Sequence, residues 1–229
     1  MDTRRWDEMY RSRDRIFSGN PNGVLVAETV GLPPGQALDV GCGEGADALW
    51  LARHGWQVTA VDVSETALRR GAAATAAAAT AAAAATDIAA AEIAAATDIK
   101  SRLAWARADL TVMPLPAASF DLVSIQYFPL RREPGHAVLR GLLNAVAPGG
   151  TLLFATHALA DPAPRQGEDH RNDHGEGFDP ADYYQPDTIA HLLDSTWNIL
   201  TNETRPRVTP APAGTHHTHD AVLRAQRLP

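Results

Sequence analysis

The chain has 229 residues, 45% hydrophobic and 21% charged, a length that carries one well-cored domain and is short for two. Its net charge of −7 argues against a nucleic-acid backbone as main partner, and its one cysteine excludes an internal disulfide and suits a reducing compartment. The first residues lack the apolar core of a signal peptide, and the alanine-rich stretch is too weakly hydrophobic for a membrane span, so a soluble cytoplasmic protein is expected, bound to neither nucleic acid nor membrane.

Residues 2–13 are charged, with Trp6, Met9 and Tyr10 at helical spacing, and predict a short amphipathic helix. A turn-rich loop occupies 16–23, and a second helix is expected over about 21–30, ended by Gly31-Leu32-Pro33-Pro34-Gly35. Trp6, Tyr10 and Phe17 either pack this segment onto the domain or close over a ligand as a lid, and residues 1–36 are taken as a helical lid segment. Ala37-Leu38-Asp39-Val40 then reads as a short strand. Gly41, Gly43 and Gly45 follow at alternate positions, and a helix over 46–54 is stopped by Gly55. Residues 56–62 form a second strand that ends in Asp62.

Strand, glycine turn, helix, strand and acidic tip make the nucleotide-binding half of a Rossmann-like sheet. Glycines let the backbone turn sharply and approach a ligand, because no Cβ stands in the way. An acid about 20 residues on is placed to accept hydrogen bonds from a ribose. The dinucleotide pattern G-x-G-x-x-G is absent, however, and Asp39 and Glu44 flank the turn. Two carboxylates suit a pyrophosphate poorly and a ligand with a cationic end better.

Ser64 is a plausible N-cap for the next helix. Residues 71–97 are mostly alanine, the best helix former, with a near repeat at Thr86-Asp87-Ile88 and Thr97-Asp98-Ile99. We read 71–100 as a low-complexity helical insertion without chemistry, with an association surface as the alternative. A third strand spans 103–108, ahead of Asp109 and Leu110. A nearly continuous apolar run from Phe120 to Gln126 predicts a strand covered on both faces. Asp121, at its start, is read as structural, whereas Gln126 and Tyr127 lie at the tip where open α/β sheets bind ligands. A helix is expected over 134–147, stopped by Ala147-Pro148-Gly149-Gly150, before a fifth strand over 151–156 with His157 at its tip. Residues 158–182 form a polar cover loop. A helix over about 186–194, a strand over 197–204, a proline-rich loop at 209–214 and a last strand over 218–227 complete the chain as an antiparallel hairpin.

The run Asp39-x-Gly41-x-Gly43-x-Gly45 resembles motif I of the class I S-adenosylmethionine (SAM) dependent methyltransferases, whose cofactor carries a sulfonium and an ammonium. The segment Phe120-Asp121-Leu122-Val123 with Gln126-Tyr127-Phe128-Pro129-Leu130 resembles motif IV of the same family, and the P-G-G turn is a further family feature. Trp6-x-x-x-Tyr10 followed by Phe17-Ser18-Gly19-x-Pro21-Asn22 looks like the N-terminal signature of small bacterial methyltransferases related to the tellurite-resistance and thiopurine group. The resemblance implies a three-layer α/β/α sandwich on a seven-stranded, mostly parallel sheet closed by an antiparallel C-terminal strand. It implies cofactor contacts at Trp6, Tyr10, Phe17, Asp39, Gly41, Cys42, Gly43, Gly45, Asp62, Val63, Asp109, Leu110 and Gln126, with Asp109 on the adenine amino group. The product would be S-adenosylhomocysteine, and the acceptor a small molecule. A homodimer is left open.

A hydroxyl or amine acceptor would benefit from a general base, and His157 is the best-placed one; Tyr127 could shape the acceptor pocket. A sulfur, selenium or tellurium nucleophile would need little beyond alignment. His170 and His174 are read as solvated. His216, His217 and His219 lie near the final hairpin, and Arg205 or Arg207 could serve there. No cysteine pairing or H-E-x-x-H supports a metal. Cys42 is read as a backbone contact rather than a nucleophile. Two other readings remain open: a SAM-binding protein without transferase activity, and a nucleotide-dependent oxidoreductase, which the missing G-x-x-G interval disfavours.

Overall fold

The computed structural model describes residues 3–84, 99–159, 179–208 and 217–229. The distal part of the alanine-rich block, His170, His174, His216 and the 209–214 loop lie outside them.

In chain order the elements are α1 (Thr3–Arg11), α2 (Gly23–Thr29), β1 (Gln36–Val40), α3 (Ala46–Arg53), β2 (Gln57–Asp62), α4 (Glu65–Ala84), β3 (Leu103–Arg107), β4 (Phe120–Gln126), α5 (Ala137–Ala145), β5 (Val146–His157), α6 (Pro186–Leu192), β6 (Trp197–Pro206) and β7 (His219–Arg227). The strands form one seven-stranded sheet in the order β3-β2-β1-β4-β5-β7-β6. The first five run parallel, and β7 enters antiparallel between β5 and β6.

Period-2 alternation sends successive side chains to opposite faces. Leu38, Val123, Ile125, Leu152, Phe154 and Leu223 face α5 and α6, where Leu139, Leu142 and Ile189 are fully buried. Ala37, Leu122, Leu153, Ala155 and Val222 face α2 and α3, against Val24, Leu25, Ala48 and Leu51. This double coverage explains why β4 reads as almost unbroken apolar sequence. Behind the sheet, Glu28 of α2 receives Arg205 at 2.6 Å and Arg224 at 3.6 Å, tying α2 to the C-terminal hairpin.

Several boundaries differ from expectation for identifiable reasons. The helix expected from Pro134 starts at Ala137, because Gly135 and His136 adopt left-handed backbone at φ 79° and 55°. The Pro148-Gly149-Gly150 turn does not precede β5 but lies within it. Val146 pairs with Phe120 before the turn, and the register shifts before Thr151 pairs with Leu122. Ser64 does cap α4, its hydroxyl accepting the Ala67 N–H at 3.2 Å. Asp121 is structural: its carboxylate accepts the Gln36 N–H at 2.7 Å and clamps the start of β1.

Candidate functional site

Strand order reverses between β1 and β4, and in open α/β sheets the crevice at such a point, beyond the carboxyl ends of the strands, holds the ligand. A cavity of about 1000 Å³ opens there. Its walls are the glycine turn, the tips of β2, β4 and β5, the segment after β3, the N-terminal segment and Arg207. Every sequence-predicted site residue lines it except Asp109. Asp109 accepts both the backbone N–H (3.0 Å) and the hydroxyl (2.7 Å) of Thr111, contacts that hold its carboxyl below the usual range; Leu110 and Thr111 reach the wall instead.

The glycine turn is shaped by close neighbours. A Cβ on Gly41 would come within 2.3 Å of the Phe128 ring, and one on Gly45 within 2.1 Å of Trp105. Both glycines also have left-handed backbone, at φ 67° and 81°, so no other residue fits there without strain. Asp62 organises the turn from β2: it accepts the Gly43 N–H at 3.0 Å and the Ser64 N–H at 2.8 Å. Cys42 keeps its proton, because burial first, then Asp39 and Asp62, push the thiol well up.

Asp39 is buried at the base of the turn, and its Oδ2 has no partner among the described residues. Burial, then Asp47 and Asp62, push its carboxyl well above 3.8. A carboxyl raised in the folded state contributes less stability as pH climbs from the unfolded value through the folded one, so at neutral pH the buried carboxylate carries a cost. Asp39→Asn is therefore expected to stabilise the ligand-free protein by ~1–2 kcal/mol while weakening cofactor binding. Thermal melts with and without SAM check both halves; a lower melting temperature without SAM would contradict the first.

The second buried acid is Asp47, which sequence reasoning passed over because an acid in the first turn of a helix reads as a dipole partner. Asp47 receives both the backbone N–H (2.7 Å) and the side-chain amide (2.8 Å) of Asn22. Glu44, by contrast, is taken by the Arg70 guanidinium at 3.0 Å, which also reaches the Arg13 carbonyl at 2.7 Å. Its charge secures the N-terminal segment as well as facing the cavity. Asp7 fastens the other side, accepting from the Ser64 hydroxyl (2.8 Å) and the Thr66 N–H (3.0 Å); chiefly the Thr66 bond holds its carboxyl down to about 2. So strapped, the segment brings Trp6, Tyr10 and Phe17 onto the cavity wall. Tyr10 is buried, and Phe17 sits at 48% exposure with its ring edge-on to Tyr10, 6.2 Å between centroids.

At the opposite end, Tyr127 adopts φ 53°, uncommon for a bulky residue, and stacks on His157 at 4.5 Å. His217 covers the other side of His157 at 4.0 Å and 8° between planes. Of the two arginines considered from the sequence, Arg205 belongs to Glu28 behind the sheet, whereas Arg207 enters the site. Arg207 donates to Asp220 at 2.9 Å, reaches His157 Nδ1 at 3.1 Å and lies 5.2 Å from the centre of the Tyr127 ring. The Tyr127 hydroxyl faces Asp220, and burial and that charge raise its pKa.

Residues 15–196 match the family model described as a methyltransferase domain. The chain belongs to this methyltransferase family. It is 35% identical over 130 residues, 57% of its length, to an uncharacterized methyltransferase of Mycobacterium tuberculosis, and that stretch is 53% of the relative, so the chain spans about half the length of this curated relative. A solved structure described by the conversion of a disulfide bond into a thioacetal group during echinomycin biosynthesis superposes with TM-score 0.67 at 22% identity, over 100% of this chain and 92% of that one. A SAM-dependent methyltransferase of Methanosarcina mazei superposes with TM-score 0.55 at 17% identity, over 89% and 97%. At such identities the two structures establish the fold.

SAM is the cofactor of this family. The cavity suits it: the unpartnered Asp39 Oδ2 and Gln126 Oε1 both need donors, and an ammonium group supplies them. Asp39 and Gln126 would hold the amino-acid end, Asp62 the ribose, and Val63, Leu110 and Thr111 the adenine. When bound, SAM supplies a methyl group on a positively charged sulfur, open to in-line displacement.

Among the described residues no helix is long and apolar enough to cross a membrane, and no group of three metal-ligating side chains gathers.

Proposed function

We propose that the chain transfers the methyl group of SAM to a small-molecule acceptor seated against Tyr127, His157 and Arg207. One observation carries this reading. A single cavity runs from the glycine turn to that cluster, with buried acids at one end and aromatic and cationic groups at the other. Its volume of about 1000 Å³ lies at the top of the range for small-molecule sites, so it has room for the cofactor and a small acceptor together. The chain's net charge of −7 favours a small acceptor over a nucleic acid.

The contribution of the chain is alignment. Asp62 and the glycine turn fix one reactant and the aromatic cluster the other, which turns a bimolecular displacement into a positioned one.

The test is incubation of the purified protein with methyl-labelled SAM and a panel of thiols, selenite, tellurite, phenols and amines. Acceptor-dependent release of S-adenosylhomocysteine is expected. Tight SAM binding without turnover on any acceptor would instead mark a SAM-binding protein, and preference for NADH over SAM would sink the cofactor assignment.

A further inference from the structure

We propose that Asp39 and Asp47 share one proton in the cofactor-free protein and that the ammonium group of the cofactor displaces it, so that binding releases a proton and tightens as pH rises. This rests on SAM as the cofactor and adds a positioning residue to its site. Asp47, held by Asn22, makes Asp39 the member of the pair that carries the proton.

Strand alternation and the glycine turn bring the two acids together. Asp39 of β1 stands on the same face as Ala37, toward α2 and α3. Asp47 lies in the first turn of α3, and the Ala48 N–H beside it lies against the Asp39 carboxyl. Both acids line the cavity and both are buried, at 2% and 6% exposure. Two carboxyls sharing such a place do not both ionise freely. Their partners decide which one keeps the proton. Asp47 receives two N–H groups of Asn22, one on each oxygen, and these favour its ionised form. Asp39 has an oxygen without a partner among the described residues.

The charges that bear on Asp39 are acids as well. After burial, Asp47 and then Asp62 of β2 push its carboxyl up, while Cys42 in the turn keeps its own proton. Tyr10 of α1 and Tyr127 at the tip of β4 are also held protonated by burial. The cations on the cavity wall are Arg5 of α1, Arg131 after β4 and Arg207 after β6. Arg131 meets Asp182, Arg207 meets Asp220, and Arg70 of α4 meets Glu44. No ion pair among the described residues reaches Asp39 or Asp47.

Gln126 points independently to a donor group in this place. Ser124 stands beside Asp39 in the β1–β4 register, and Gln126 follows on the same face. Its amide nitrogen donates to the Ser124 hydroxyl at 3.1 Å. Its Oε1 is left buried with no donor among the described residues. An ammonium has three donors and no acceptor. It satisfies Asp39 Oδ2 and Gln126 Oε1 and brings the positive charge that the pair lacks. The pair then goes from one negative charge to two, the ammonium adds one positive charge, and the proton goes to the buffer.

The test is calorimetric titration of the full chain with S-adenosylhomocysteine, which carries the same ammonium, in buffers of different ionisation heat. The range runs from about pH 5 to about pH 7.5, below the ionisation of the ligand's own amino group. Release of most of one proton per ligand is expected within it, with affinity rising up to about tenfold per pH unit. No release at any of these pH values would overturn the proposal. Asp62 is also raised by burial, so methylthioadenosine, which keeps the ribose and adenine but lacks the amino-acid end, separates the two ends. It should bind without releasing a proton; an equal release would place the proton at Asp62 and overturn the proposal. Asp47→Asn should move the rise in affinity to lower pH, because the like charge is gone. Asn22→Ala should move it to higher pH, because Asp47 then competes for the proton. A profile unmoved by either change would take Asp47 out of the pair and overturn its role. If the unaltered chain bound neither SAM nor S-adenosylhomocysteine, the cofactor assignment itself would fail, whereas binding without a linked proton sinks this inference alone.

Discussion

Asp62→Ala is expected to weaken SAM binding about 100-fold or more, from the loss of two hydrogen bonds to a charged acceptor, ~3 kcal/mol or above. Each carboxylate oxygen of Asp62 already accepts one backbone N–H, from Gly43 and from Ser64. Each retains a second lone pair, so Asp62 can hold the turn and a ribose diol at once. Alanine removes both functions, because the Gly43 N–H loses its partner and the turn loses its shape. Asp62→Asn separates them: the amide oxygen can still receive one N–H, so the turn survives better than the affinity does. Calorimetric titration of the variants with SAM and with S-adenosylhomocysteine checks this. An unchanged dissociation constant for Asp62→Ala would remove Asp62 from the cofactor site.

Arg207→Leu is expected to destabilise the fold by about 3–5 kcal/mol, the usual cost of leaving one partner of a buried ion pair alone. The side chains of Arg207 and Asp220 are 9% and 4% exposed. Burial already pushes the Asp220 carboxyl up, with Tyr127 and Arg207 pulling against it, so removing the arginine leaves the tyrosine as the larger remaining counterweight. Arg207→Leu combined with Asp220→Leu should recover most of the loss, since it removes the stranded charge. Urea unfolding of the single and double variants measures both. A single variant within about 0.5 kcal/mol of the parent would show that the pair does not hold the hairpin to β5.

The two variants draw on different parts of the chain, and they differ in how far the sequence reveals them. The place of Asp62 beside the turn was legible because it depends on local spacing. A strand, three glycines, a helix and a second strand bring a carboxylate to a fixed place beside the turn, and short-range geometry dictates this wherever the chain folds as a parallel β-α-β unit. Gly41 and Gly45 were legible for the same reason, although the sequence did not name the Phe128 and Trp105 rings that make them obligatory. Asp109 carried the expected position at the end of β3, but its carboxylate turns onto Thr111. Position along a strand sets where a residue stands, while the side chain's partners set what it faces.

The individual strands, the glycine turn and the strand tips bearing Gln126, Tyr127 and His157 follow from periodicity and turn chemistry, which act over a few residues, whereas the seven-stranded sheet was implied only by the family resemblance. Tertiary structure decided the rest. It chose Arg207 over Arg205: Arg205, within β6, turns to Glu28 of α2, whereas Arg207, just past the end of the strand, reaches Asp220 beside the cavity. It paired Asp47 with Asn22, took Glu44 for Arg70, and set an arginine against one nitrogen of His157. Such contacts join residues 25 to 50 positions apart, and no local pattern encodes them, because they exist only once the sheet has brought distant strand ends to one edge.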